Sequence, residues 1–399
     1  MHLFKNKLAW MAPLIVLFVI ILFGLTLIPS VQPQPKNLPL AFVNEDKGIV
    51  IPQQGTINMG NNIAEMIQQK TTSENDEEPI VKWTSVDNKE AVLEALNNQE
   101  YYGAIIIPED FSQKQMSLLT PSPAMPEITI FINQGMNPMV ASMTTQMLNS
   151  IANGIESGIQ AQIIQKAQTQ NLTLQANQLQ TFVNPITVHV ENINEVGTNS
   201  MNGNAPVMLF QPLWMASIAG AVLLCLAMKN IVFTSKTQKL YTLLAQTVLG
   251  VILSLVAGFG LSWMAQAIGV DIPDFMNTSL FLTVTYFAFF LLISAVLSWT
   301  GIKGMPIFIL ILFFGAPLLS MAPEMMSPFY HDYVYAWLPM KFMIQGLREL
   351  FFFEQTFSFS GPTATLGWIA LGSFGVLMLS TIKKDTSSTK SVTNIHSNL

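Results

Sequence analysis

The chain is poor in the side chains on which most enzymes and nucleic-acid binders depend. Of its 399 residues only 11% are charged, four are histidine and one is cysteine. A lone cysteine, Cys225, excludes any disulfide within the chain. His2, His189, His331 and His396 are too scattered to suggest a metal-ligand set. A net charge of −6 and a pI near 5.3 argue against nucleic acid as a partner. Arginine occurs once, at Arg348. There is no G-x-x-x-x-G-K-[ST] phosphate loop, no H-E-x-x-H, no C-x-x-C and no G-x-S-x-G. No catalytic activity and no cofactor of its own are therefore expected.

What is abundant is apolar. Half the residues are hydrophobic and the mean hydropathy is +0.43, with long apolar runs at both ends and a polar stretch over 31–206. That pattern predicts an integral membrane protein with one large aqueous domain. Residues 8–28 carry no charge, and about 21 helical residues span roughly 31 Å, enough to cross the hydrocarbon core. The run is longer than a usual signal-peptide core and no small-x-small site follows, which favours an uncleaved anchor. Further spans are predicted at 209–228, 240–268, 279–299, 305–321 and 363–382. With six spans, Lys5, Lys7, Lys229, Lys236, Lys239, Lys303, Lys383 and Lys384 all fall on one side. The positive-inside rule makes that side cytoplasmic, with both termini inside a cell membrane and 31–206 outside. The expected parts are an anchor (1–30), an extracytoplasmic α/β domain (31–206), a five-helix membrane domain (207–382) and a cytoplasmic tail (383–399).

Within 31–206, after a proline-rich linker, strand-like runs at 38–44, 80–86, 102–107, 128–132 and 186–190 alternate with helical patterns at 57–67, 88–97 and 109–119. A mixed sheet is expected, with 102–107 buried on both faces. The acidic run 74–78 reads as a solvated loop. In 137–182, Met143, Met147, Ile151, Ile155, Ile159 and Ile163 recur every four residues, while Gly154 and Gly158 are candidate breaks for a hairpin. That stripe suits a helix on its own sheet, a dimer contact or a stalk. Ala216 and Gly220 form a small-xxx-small pair suited to close helix approach, and so a candidate seam between two copies.

The stretch 315–353 is too polar for a plain span and too apolar for an ordinary loop. Between an outward and an inward span, 336–353 cannot cross fully without inverting the basic C-terminus. Lys341, Gln345 and Arg348 form one polar stripe, with Met340, Met343, Leu347, Leu350 and Phe351 on other faces. An external re-entrant or interfacial helix is predicted, preceded by a belt of Tyr330, Tyr333, Tyr335 and Trp337.

The arrangement resembles the membrane subunits of type-2 ABC exporters. The resemblance is carried by Ala316-Pro317, by Trp337-Leu338-Pro339-Met340-Lys341 and by Gly346-Leu347-Arg348. The runs 41–48 (AFVNEDKG), 101–112 (YYGAIIIPEDFS) and 132–135 (INQG) are similar to the phage-infection-protein-like branch. The resemblance implies a separate ATPase subunit that binds the ATP, a second permease copy (identical or paralogous) and outward movement of substrate. It also implies that the cytoplasmic loop 229–239 docks the ATPase, through Lys229, Ile231, Val232, Phe233, Lys236 and Lys239. The expected outer gate is the re-entrant helix with Trp337, Pro339, Lys341, Gln345, Gly346, Arg348 and Glu349. Few charges and much Met and aromatic surface favour an amphipathic substrate and lipid contact. The alternative is a cell-surface scaffold or receptor, a secretion-apparatus component or phage-adsorption protein, acting through its external domain.

Overall fold

The computed structural model describes residues 17, 35–51, 55–71, 79–120, 122–169, 183–229 and 231–383. The expected first span, the acidic run 74–78 and the tail after 383 lie outside these, apart from Leu17. Two compact units are present: an α/β unit of Gln34–Val196 with Ala322–Met325, and a helical unit drawn in its described part from Gly197–Met321 and 326–383.

The α/β unit is organised by strands β1 (Leu38–Asn44), β4 (Val81–Val86), β5 (Gly103–Ile107), β6 (Glu127–Asn133) and β7 (Thr187–Ile193), in spatial order β4-β1-β5-β6-β7. The β1–β4, β1–β5 and β6–β7 pairs are parallel and β5–β6 is antiparallel, so the sheet is mixed. All five residues of β5 are buried, as its unbroken apolar run requires of a central strand. A small hairpin of β2 (Ile49–Ile51) and β3 (Gly55–Ile57) was not anticipated, because three-residue strands leave no periodicity to read.

Helices α1 (Met59–Thr71), α2 (Lys89–Asn97), α3 (Phe111–Ser117) and α4 (Pro138–Thr169) complete the unit. Asn88 caps α2, its side-chain oxygen accepting from Ala91 N at 2.8 Å. On one face of the sheet Val92 and Leu96 of α2 then pack with Ala41, Val43, Ala104, Ile106 and Phe131. The opposite face takes α4 at close quarters: a Cβ on Gly103 would lie 2.9 Å from Thr144 Cγ2 and 2.7 Å from the Phe131 carbonyl.

Helix α4 runs unbroken through Gly154 and Gly158, so the expected hairpin break is absent there. Its buried line is Thr144, Leu148, Ala152, Ile155, Ile159 and Ile163, not the strict four-residue repeat through Met143 and Met147. Four residues turn about 400°, so a strict four-repeat drifts roughly 40° per step and leaves the face within a few turns. A three-residue step from Ala152 to Ile155 corrects the drift.

Among the described residues of the helical unit, four helical stretches are long and apolar enough to cross a membrane: Ala205–Met228, Lys236–Ala267, Phe275–Ser320 and Gly361–Ile382. This is a membrane protein carrying an α/β unit. The elements are α5 (Ala205–Met228), α6 (Lys236–Ala267), α7 (Phe275–Thr300), α8 (Met305–Ser320), α9 (Pro328–Tyr333), α10 (Met340–Phe352) and α11 (Gly361–Leu379). The 46-residue third stretch comprises α7 and α8, divided by a 3-10 turn at Gly301–Gly304. Gly301 sits at φ +65°, a left-handed conformation that glycine adopts without a Cβ clash and that ends α7.

Helix α7 is the hub and packs against α5, α6, α10 and α11. It is apolar on all sides, as a helix surrounded by others must be. Trp214 of α5 is fully buried, edge-on to Phe289 of α7 at 5.0 Å between ring centroids, and its indole N–H reaches the Phe308 carbonyl of α8 at 3.4 Å. Small residues on α6 let α7 approach: Gly250 faces the Phe290 ring and Gly258 faces Thr283. The Ala216/Gly220 pair is likewise an internal crossing. Tyr286 Oη donates to the Ala216 carbonyl at 3.3 Å, and a Cβ on Gly220 would meet that oxygen at 2.4 Å. Gly220 is thus filled from within the chain, whereas the Ala216 side chain is exposed.

Candidate functional site

At one end of the helical unit α5 stops, α6 starts, α7 meets its 3-10 turn and α11 finishes. The connection between α5 and α6 is tighter than the expected loop 229–239, since α6 already begins at Lys236. The reason is an N-cap: Ser235 Oγ accepts from Gln238 N at 3.1 Å. Gln238 Oε1 in turn accepts from Thr234 N and Thr234 Oγ1, both at 2.9 Å. Lys236 and Lys239 therefore stand in the first turn of α6 rather than in a loop. At the other end of the connection, Lys229 N and Ile231 N donate to Leu226 O and Met228 O, at 3.1 and 3.0 Å. Hydrogen bonds therefore hold the connection at both ends.

This connection borders an open cavity of about 400 Å³. The α5 side supplies Cys225, Leu226 and Met228; the linker supplies Lys229, Ile231 and Phe233; α6 supplies Lys239 and Leu243. The remaining wall is Leu297, Ser298, Gly301 and Ile302, with Ser380 and Lys383 after α11. Lys239, buried in the wall, donates to the Lys383 carbonyl at 3.0 Å and sits over the Phe233 ring at 6.0 Å. Lys383 Nζ donates to the Trp299 carbonyl. Ile231, at the cavity, and Val232 are exposed apolar groups, 41% and 63%. With Lys236 and Lys303 also exposed, this end carries five lysines among the described residues. The connection between α6 and α7 instead holds Asp271 and Asp274, the latter capping α7 by accepting from Asn277 N at 2.9 Å. The bundle is polarised, basic at one end and acidic at the other.

The second set of expected residues lies elsewhere. Trp337 closes a 3-10 turn and is exposed, its N–H on the Tyr333 carbonyl at 2.6 Å. Pro339 precedes α10, and Lys341, on its first turn, donates to the Ala336 carbonyl at 2.7 Å under the Tyr335 ring. Gln345 is exposed, while Arg348 and Glu349 are half-buried. Met340, Met343, Leu347, Leu350 and Phe351 are buried, as the spacing predicts, and Gly346 is buried with them. The surroundings differ from an interfacial helix, however. Helix α10 packs on α5, α7, α8 and α11, and Gly346 lies so close to Phe281 that a Cβ would meet its ring at 2.2 Å. An amphipathic pattern does not distinguish lipid headgroups from partner helices, so α10 is wedged into the bundle instead of lying upon it. Phe281 and Leu297 are 16 residues apart on α7, which separates this region from the basic cavity by roughly 24 Å. The structure therefore places the two expected sets apart, and joins Cys225, Leu297 and Lys383 to the first set.

The motifs that suggested a family resolve into packing nodes. Asp46, 7% exposed, accepts from Ser112 N at 3.0 Å, Gly60 N at 3.1 Å and Gly48 N at 3.2 Å, and from Ser112 Oγ. Ser112 Oγ accepts from Met59 N at 2.8 Å. The 41–48 and 101–112 runs thus meet where β1 ends and α1 and α3 begin. Asn133 of the third run donates to the Leu96 carbonyl at 2.7 Å and accepts from Asn194 at 3.1 Å. In the helical unit Gly315 faces Leu338, uniting the segments around Ala316-Pro317 and Trp337–Lys341. Among the described residues no group of three or more His, Cys, Asp or Glu could hold a metal ion.

Residues 9–359 match the family described as Protein of unknown function (DUF3533). The chain belongs to this family. The match takes in the α/β unit and most of the helical bundle of this DUF3533 protein, so both are parts of one family architecture. A solved domain of a "putative ABC type-2 transporter" from Thermotoga maritima MSB8 is similar to 39% of this chain and 84% of its own length, at 18% identity and a TM-score of 0.25. That likeness is too low to carry either fold or function. No curated protein matches.

Proposed function

We propose that this DUF3533 protein is the membrane-spanning permease subunit of an ATP-driven exporter of the ABC type-2 kind. A separate ATPase subunit hydrolyses the nucleotide, a second permease copy completes the transporter, and an amphipathic substrate moves outward. The observation that carries the reading is the α5–α6 linker. It is short, fastened at both ends, and presents exposed Ile231 and Val232 among lysines at the basic end of the bundle. A motor on a separate protein needs a stiff apolar foothold, because a slack loop would absorb its stroke. The positive-inside rule puts this end in the cytoplasm of a cell membrane and the α/β unit outside. In this reading Arg348 and its neighbours on α10 serve the outer gate, beyond the far half of α7.

The test is co-purification of the full chain with its nucleotide-binding partner, followed by ATPase assay in lipid. Replacing Ile231, Val232 and Phe233 with glycine and serine is expected to abolish substrate-stimulated ATP hydrolysis while leaving the folded yield unchanged. Unaltered stimulation would remove the linker as the docking element, and failure of any nucleotide-binding protein to co-purify would remove the reading itself.

A further inference from the structure

We propose that the basic cavity holds the headgroup of one anionic phospholipid, with the upper part of its acyl chains against the apolar wall. The cavity has two kinds of surface that one lipid would satisfy together. Lys229, Lys239 and Lys383 stand among its lining residues, and so do the apolar Leu226, Leu243, Leu297 and Ile302. The partner of the Lys383 ammonium is the Trp299 carbonyl, which fixes the charge in place without cancelling it. The segments that form the wall, 225–243 with 297–302 and 380–383, contain no aspartate or glutamate in sequence. An anionic phosphate is the complement of such a surface.

Depth and size agree. The wall is built from the ends of α5, α7 and α11 and the start of α6, and membrane-crossing helices end at the level of the headgroups. Trp299 stands beside it, 42% exposed, with its indole N–H on the Val376 carbonyl at 3.2 Å, an aromatic placed as interfacial residues are. A volume of about 400 Å³ is far more than inorganic phosphate fills, and phosphate has no use for a leucine-lined wall. A zwitterionic headgroup brings its own ammonium to a surface that already carries lysines.

The only cysteine of the chain, Cys225, lines this cavity and reports on its occupancy without any engineering. The full-length protein is reconstituted in phosphatidylcholine vesicles with or without phosphatidylglycerol, and the rate of N-ethylmaleimide addition is read by mass spectrometry. Phosphatidylglycerol is expected to slow labelling at least five-fold in the unaltered chain and less than two-fold in a K229Q/K383Q variant. Native mass spectrometry of the unaltered protein, which depends on no variant, is expected to retain one phosphatidylglycerol per chain in preference to phosphatidylcholine. Equal labelling in both lipids, protection that survives the double substitution, protection by soluble glycerol phosphate alone, or protection that appears only when a protein partner is added would each overturn the proposal. No step involves ATP or transport, so failure here leaves the permease reading standing, and failure of that reading leaves this one standing.

Discussion

Replacing Asp46 with alanine should loosen the α/β unit more than any other single carboxylate change in it. The carboxylate is buried and accepts the N–H groups of Gly60 and Ser112, which are buried themselves and lie at the starts of α1 and α3. Alanine leaves both without an acceptor. Each stranded N–H costs about 1–3 kcal/mol, so the pair amounts to about 4 kcal/mol. The Gly48 N–H is only part-buried and can turn to water, adding little. Against a typical domain stability of about 5–15 kcal/mol this is a large fraction. The assay is pulse proteolysis of the full-length protein across a urea series, following the α/β fragment. Lys47→Ala serves as the control, because Lys47 and Glu109 form an exposed ion pair, with side chains 75% and 65% accessible, and its loss should not register. An Asp46→Ala protein within about 1 kcal/mol of the unaltered chain would refute the claim that this node joins the three elements.

Two further outcomes are expected. Gly346→Ala should lower the folded, monodisperse yield in detergent by overpacking α10 against the Phe281 ring, a strain of about 1–3 kcal/mol that a Phe281→Leu second change relieves; size-exclusion profiles of both variants decide it. Leu148→Ala should cost about 2–5 kcal/mol by opening a cavity under the sheet, whereas Met147→Ala, on the half-buried flank of α4, should cost under about 1 kcal/mol; equal losses in the proteolysis assay would contradict the buried line drawn for that helix.

Much of the architecture could be read from hydrophobic runs, because burial dictates them. The five long strands and the helices at 205–228, 236–267, 275–300 and 361–379 lie within a few residues of where continuous or alternating apolar residues put them. The turn at Gly301–Gly304 coincides with the expected break at 300–304. What escaped reading depended on pairs distant in sequence. The basic cavity needs Cys225, Leu297 and Lys383, which stand on three separate helix ends. The wedge position of α10 was signalled by a glycine, Gly346, amid large apolar residues. A position without a side chain in such a helix asks what occupies the space, and here it is the Phe281 ring. The N-cap pattern Ser235-x-x-Gln238 was also legible and would have moved the start of α6 forward of Lys239.

The α/β unit is closed by residues from far along the chain. Glu324 accepts from Lys36 N through its carbonyl and from Tyr102 Oη through its carboxylate, both at 2.9 Å. In biosynthesis Tyr102, just ahead of β5, exists long before its partner does. From the end of β7 to Glu324 the ribosome adds about 130 residues, which at about 5–20 residues per second is a delay of roughly 6–26 s. The sheet can form in that interval, but these two bonds wait until α5 through α8 have been made. Completion of the α/β unit is in this way tied to the order in which the membrane helices are delivered, and a nascent chain stalled before residue 324 carries the unit in an unfinished form.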